Sequence, residues 1–153
     1  MQLTTVFLAL ALLWPVAPPP PPILRGWHPP PGPYAAGHRG VDLAAPPGTP
    51  VLAPAAGTVT FAGPVGGRGV VTVTLTGTGT PPLRTTFSPV TPLTTAGTHV
   101  TPGTPIAETA PETTSDTHCT TPCLHWGLLR GDTYLNPLLL APHARSRLLP
   151  VYD

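Results

Sequence analysis

The chain has no lysine. Its seven positive charges are all arginine, and against six acidic residues they leave a net charge of +1, with only 8% of residues charged. So small and balanced a charge offers no electrostatic footprint for nucleic acid. It is also low for a cytosolic protein and suits an exported, Thr-rich domain. Only two cysteines are present, and aromatic residues make up 6%. No apolar pattern of period 3.6 runs long enough to mark a helix. The longest apolar run, Leu3 to Val16, falls short of the ~20 residues that a bilayer-spanning helix needs. Its length is that of a signal-peptide core, although Met1-Gln2 brings no basic side chain. A buried core helix is disfavoured because Pro15 and the run Pro18 to Pro22 end it at once.

Proline and glycine, by contrast, are abundant, at 26 and 16 residues. The prolines crowd before Tyr34 and are then spaced singly among alternating apolar residues and threonines. Short strands joined by tight turns look like this, so the expected fold is all-β, a compact antiparallel sandwich or hybrid barrel. At this length one domain is expected. The expected organisation is a signal-like segment over 1–17, a semi-rigid proline-rich linker over 18–33 with no packed core, a β domain over 34–140 and a flexible tail over 141–153. Period-2 alternation predicts strands at Thr58–Ala62, with Val59 and Phe61 on one face, at Val70–Thr76, with Val71, Val73 and Leu75 on one face, and at Arg84–Ser88. Gly48-Thr49-Pro50-Val51 and Gly97-Thr98-His99-Val100 echo one another. Two related strand-turn units or chance in a Gly/Thr-rich chain would each account for the echo.

Two distant stretches carry metal-ligand chemistry: Gly37-His38-Arg39-Gly40-Val41-Asp42-Leu43 and Cys123-Leu124-His125-Trp126-Gly127. The flanking glycines argue against a helix, so His38 and Asp42 are expected on a turn entering a strand. Two neutral imidazoles and one carboxylate would leave a zinc site at +1. Zinc takes three protein ligands and an open position when catalytic, four when structural. On its own, His38-x-x-x-Asp42 is weak: Asp42 could cap a turn and His38 lie on the surface.

Taken in order, these motifs resemble the M23 (lysostaphin- and LytM-like) zinc metalloendopeptidases, which cut peptide cross-bridges in peptidoglycan. The resemblance runs from about Gly37 to Pro137. It begins at His38-Arg39-Gly40-Val41-Asp42-Leu43-Ala44-Ala45 and continues through Gly48-Thr49-Pro50-Val51, Ala53, Ala56-Gly57-Thr58-Val59, Ala62-Gly63 and Gly69-Val70-Val71. It closes on Leu124-His125-Trp126-Gly127 and Leu135-Asn136-Pro137-Leu138. It implies zinc held by His38, Asp42 and His125, an exported or envelope location, and peptidoglycan peptides or a cell-wall hydrolase as partners. Membrane contact is implied only through an uncleaved N-terminal segment.

Two positions depart from the family pattern, and both are the catalytic ones. Active members end in H-x-H, whereas Cys123-Leu124-His125 stands here. They also carry a Tyr-x-His-Leu-like strand, whose counterpart Thr86-Phe87-Ser88-Pro89-Val90 has no histidine. A general base contributes about 10²–10⁴-fold and an oxyanion donor about 10²–10³-fold. The expectation is therefore a weak or inactive peptidase, or a module that binds peptidoglycan or regulates a hydrolase. His118 and His99 are the substitute imidazoles available, His118 being the weak catalytic candidate. Cys119 and Cys123 either form a disulfide, as an oxidising compartment favours, or leave Cys123 as a fourth zinc ligand on the strand face of His125.

Overall fold

The computed structural model describes residues 12–111 and 119–142. Among the described residues, eleven strands appear in chain order: β1 (Ile23–Arg25), β2 (Val41–Ala44), β3 (Pro50–Leu52), β4 (Gly57–Val65), β5 (Arg68–Leu75), β6 (Leu83–Ser88), β7 (Val90–Pro92), β8 (His99–Val100), β9 (Pro105–Thr109), β10 (Cys123–Arg130) and β11 (Thr133–Leu135). A 3₁₀ turn over Pro137–Leu140 follows. The larger sheet runs β1-β2-β10-β6-β5-β4-β8, with β11 extending beside β10; β3-β9-β7 form the smaller one. Every strand pairing is antiparallel. The all-β expectation holds.

One core joins the two sheets. Val71, Val73, Leu75, Phe87, Leu124, Trp126 and Leu128 from the larger meet Val51, Val90 and Ile106 from the smaller. Val71, Val73 and Leu75 are buried, as the alternation along β5 requires. Phe61 departs from its expected place beside Val59. The register of β4 against β5 shifts between these two residues, and a bulge there re-aims every later side chain. Val59 is wholly buried while Phe61 is 40% exposed.

The paired Gly-Thr stretches are turns rather than a duplicated unit. Thr49, Thr98 and Thr104 each donate a backbone N–H to the carbonyl three residues earlier, at 3.2, 3.3 and 3.1 Å. The residue before each is a glycine with φ of +84°, +94° and +86°. A type II turn needs positive φ at that position, which favours glycine. The strands they introduce, β3 and β8, lie in different sheets. Turn chemistry recurs; the architecture does not.

The proline-rich stretch expected as a semi-rigid linker with no packed core is instead laid along the domain. Leu13 N–H donates to Pro54 O, Leu52 N–H to Pro15 O and Ala44 N–H to Pro22 O, and β1 pairs with β2. Val16 belongs to the core, with Leu12, Trp14 and Trp27 packed against it. Trp14 lies 6.2 Å from Trp126, ring to ring. The boundary expected at residue 17 thus falls inside the packed unit. A proline-rich chain still offers carbonyl acceptors, and the aromatic and aliphatic side chains between its prolines find an apolar surface to cover. Of the expected leader and tail, 1–11 and 143–153 lie outside the described residues.

A buried polar relay sits at the centre of β10. Trp126 Nε1 donates to Thr85 Oγ1 at 2.8 Å, and that hydroxyl donates to Gly127 O at 2.9 Å. Thr85 and Trp126 are both wholly buried. Thr85→Val keeps the shape but strands the indole N–H, an expected cost of about 1–3 kcal/mol. In urea titration its midpoint should fall with an unchanged slope; an unchanged midpoint would remove the relay from the account of stability.

Candidate metal centre

The antiparallel pairing of β2 with β10 sets Asp42 directly opposite His125, and Cys123 opposite Ala44. Cross-strand partners share a face of the sheet with Cβ atoms about 5 Å apart, so residues 83 apart in sequence meet. His38 arrives from the turn before β2. The bridge that sets His28 against His38 holds that turn through His28 N–H to His38 O at 3.1 Å and His38 N–H to His28 O at 2.7 Å. Arg39 turns the other way, donating to Pro33 O at 2.9 Å with its guanidinium 5.8 Å from the centre of the Tyr134 ring.

One ligand-type atom from each of His38, Asp42 and His125 lies within 4.8 Å of the other two. His38 Nδ1 is 2.8 Å from Gly26 O. A carbonyl only accepts, so Nδ1 carries the proton, and the neutral ring's Nε2 is a bare lone pair. That nitrogen is 3.1 Å from Asp42 Oδ1 yet has no hydrogen-bond partner. His125 Nδ1 approaches the same oxygen at 2.8 Å. Asp42 is fully buried and its Oδ2 also lacks a partner. A buried lone pair facing a buried carboxylate is unfavourable unless a cation or a proton lies between them. These residues therefore fit a dication such as zinc, which takes imidazole nitrogen and carboxylate oxygen.

Burial is the strongest single influence on the Asp42 carboxyl and pushes it up. The hydrogen bond from His125 and the electrostatic pull that the two rings exert when protonated outweigh it, holding the carboxyl below its ordinary 3.8. A lower value folded than unfolded means stability that is complete above the ordinary carboxylate range and is lost as pH falls through the folded value. The ligand oxygen thus stays ionised across neutral pH. Exposure is graded across the site: 0% for the Asp42 side chain, 5% for His38 and 23% for His125. The cluster opens to solvent beside His125.

The other sequence-selected residues are placed unequally. Ser88 lies opposite His125 on the β6 side, so the stretch Thr86–Val90 does border the cluster. Cys123 is bonded to Cys119. His99 is remote: it sits on β8 at the far end of the larger sheet, with Nδ1 3.0 Å from Thr58 Oγ1. His118 lies outside the described residues. Sequence reasoning missed Gly26, whose carbonyl sets the His38 tautomer, and His28, an exposed imidazole on a residue bridged to His38. Both belong to the stretch read as linker, and no local pattern announces a carbonyl's partner. It also missed how close Gly40 comes to His125: a Cβ there would lie 2.7 Å from the ring.

Comparison with known proteins identifies the family. The model of "Peptidase family M23" matches residues 36–137. An uncharacterized protein of Mycobacterium tuberculosis is 37% identical over 149 residues, covering 90% of this chain and 54% of its own. One from Mycobacterium bovis matches equally. The chain thus spans about half the length of the curated relatives it matches. Among solved structures, a zinc-containing peptidase from Vibrio cholerae superposes with a TM-score of 0.62 at 23% identity, over 78% of this chain and 36% of that one. The catalytic domain of the antimicrobial peptidase lysostaphin from Staphylococcus simulans gives 0.62 at 21%, over 78% and 90%. A mutant catalytic domain of the prophage-encoded M23 protein EnpA from Enterococcus faecalis gives 0.61 at 24%, over 80% and 93%. At such identities these structures speak for the fold, while the family match covers about two thirds of the sequence. The chain belongs to peptidase family M23.

Proposed function

We propose that this is an exported zinc domain of the cell envelope that engages peptidoglycan peptides through the His38–Asp42–His125 cluster and hydrolyses them weakly or not at all. The observation that carries the reading is the orphaned His38 Nε2 beside Asp42 Oδ1. It fits a metal ligand better than a surface imidazole.

A zinc ion held there would supply Lewis-acid polarisation of a peptide carbonyl. The chain's own residues do the rest. Gly26 O orients the His38 ring, and the β2–β10 pairing fixes Asp42 against His125. The partial exposure of His125 leaves an approach for an extended peptide. Among the described residues, neither altered family position supplies a proton carrier. Cys123, on the His125 face of β10, is held in a disulfide, and the Ser88 hydroxyl is no base at neutral pH without activation. Hydrolysis is accordingly slow, and binding without cutting, or regulation of a partner hydrolase, is the reading that the cystine favours. The low charge and the family's cell-wall peptidases support the envelope location.

The purified chain is expected to carry one zinc, and its His38→Ala variant close to none. Elemental analysis of both, beside release of soluble fragments from purified cell walls with a chelated control, tests the reading. Equal, negligible zinc in the two preparations would falsify the site.

A further inference from the structure

A second set of ligand-type atoms shares Asp42. The sulfurs of Cys119 and Cys123 and an Asp42 carboxylate oxygen lie within 4.8 Å of one another. Cys123 is buried, 5% exposed, and stands two residues before His125 on β10, so both side chains project from one face of the strand. Asp42 is thus common to two sets, one with the two imidazoles and one with the two sulfurs, and its Oδ2 has no hydrogen-bond partner. Joined as a cystine the sulfurs are poor donors, but a thiolate is among the strongest ligands zinc takes.

We propose that reduction of the Cys119–Cys123 bond converts the open three-residue site into a closed one, with the Cys123 thiolate as fourth ligand. The proposal rests on reading His38, Asp42 and His125 as a metal site. Accessibility sets the order of events. Cys119 is half-buried and lines two surface clefts, whereas Cys123 reaches only one of them and is buried, 5% exposed. A dithiol reductant therefore attacks Cys119 Sγ, forming a mixed disulfide and expelling Cys123 as thiolate. The second thiol of the reductant then attacks its own sulfur in that mixed disulfide, closing a cyclic disulfide and releasing Cys119 as a thiol. The reductant loses two electrons and two protons. The protein gains two electrons, one proton on Cys119 and one on Cys123, the latter passing to solvent when Cys123 binds the metal.

Charge favours the coupling. A thiolate expelled beside the Asp42 carboxylate is repelled by it, and a dication between them removes that repulsion. Metal binding therefore favours the reduced form, and by linkage reduction tightens metal binding by the same factor. Four protein ligands leave no open position for a substrate, as in structural zinc sites. Reduction would thus retain the metal while closing the site to peptides.

The test uses the full chain with cobalt(II), which reports thiolate ligation through an intense near-ultraviolet charge-transfer band. Oxidised protein should bind cobalt without that band. Protein reduced by a dithiol and desalted under anaerobic conditions should show the band and bind about 10-fold tighter or more, within the range of ordinary coupling. Cys119→Ser, with its Cys123 thiol permanently free, should behave as the reduced form without any reductant. Cys123→Ser should show no band in either state. Cobalt bound with equal affinity and no band after reduction overturns this proposal alone. No cobalt bound by the oxidised protein overturns the three-ligand reading beneath it. A band surviving in reduced Cys123→Ser overturns the assignment to Cys123.

Discussion

Cys123→His combined with Cys119→Ser and Ser88→His should raise peptide-bond hydrolysis about 10²-fold or more, the low end for a positioned general base. Cys119→Ser is included so that no orphan thiol remains. The geometry favours the change at both positions. Position 123 shares a strand face with His125, and position 88 lies directly opposite His125 on β6. Two imidazoles would therefore flank the metal cluster from neighbouring strands, one able to move a proton and the other to steady developing negative charge. Release of soluble fragments from purified peptidoglycan, with a chelated control, measures the gain. High activity in the unmodified protein would contradict the weakly catalytic reading and direct attention to His28 or His118. No activity in any variant, with zinc bound, would show that the groove has drifted beyond the sub-ångström placement that catalysis needs.

Gly40→Ala should damage the site without touching a ligand. A Cβ at that position would lie 2.5 Å from Trp126 O and 2.7 Å from both Cε1 and Nε2 of His125. The carbonyl belongs to a paired strand, so the yielding partner is the imidazole, the one ligand with open space beside it. Overpacking of this kind costs about 1–3 kcal/mol. A ring displaced by a sizeable fraction of an ångström would lower zinc affinity about 10–100-fold, as for other residues that hold a ligand in orientation. Gly26→Ala is the matched control. A Cβ there meets nothing within 4 Å, and the carbonyl facing His38 is retained. Competition with a chromophoric chelator for zinc reads both variants. Equal affinity in Gly40→Ala and wild type would mean that His125 is not held where the structure sets it, or does not bind the metal.

Some of this was legible in local order. The alternation Val71, Val73, Leu75 marks a face because side chains in a strand have period 2, and a continuous β5 preserves it. Turn glycines at 48, 97 and 103 stand where positive φ is needed, a property of single residues. The types of His38, Asp42 and His125 name the metal chemistry, since ligand affinity belongs to the side chain itself. So does the number of cysteines, which allows one bridge at most.

What required the folded chain is whatever depends on partners distant in sequence. The bulge between Val59 and Phe61 belongs to the register with β5, so the sequence of β4 alone puts Phe61 on the wrong face. The prolines before Tyr34 read as a tether because their composition is extended and poor in donors. They lie against the domain because Leu52 and Ala44 supply donors and the core supplies an apolar surface for Trp14 and Val16. The site itself exists only through pairing. Asp42 meets His125 because β2 and β10 are neighbours, and His38 presents a bare nitrogen because Gly26 O accepts the hydrogen bond from Nδ1–H and so fixes the proton there. Sequence determined which atoms were available to hold a cation. The tertiary structure decided that three of them converge, because convergence within a few ångströms is set by strand register and ring tautomer, which long-range hydrogen bonds control.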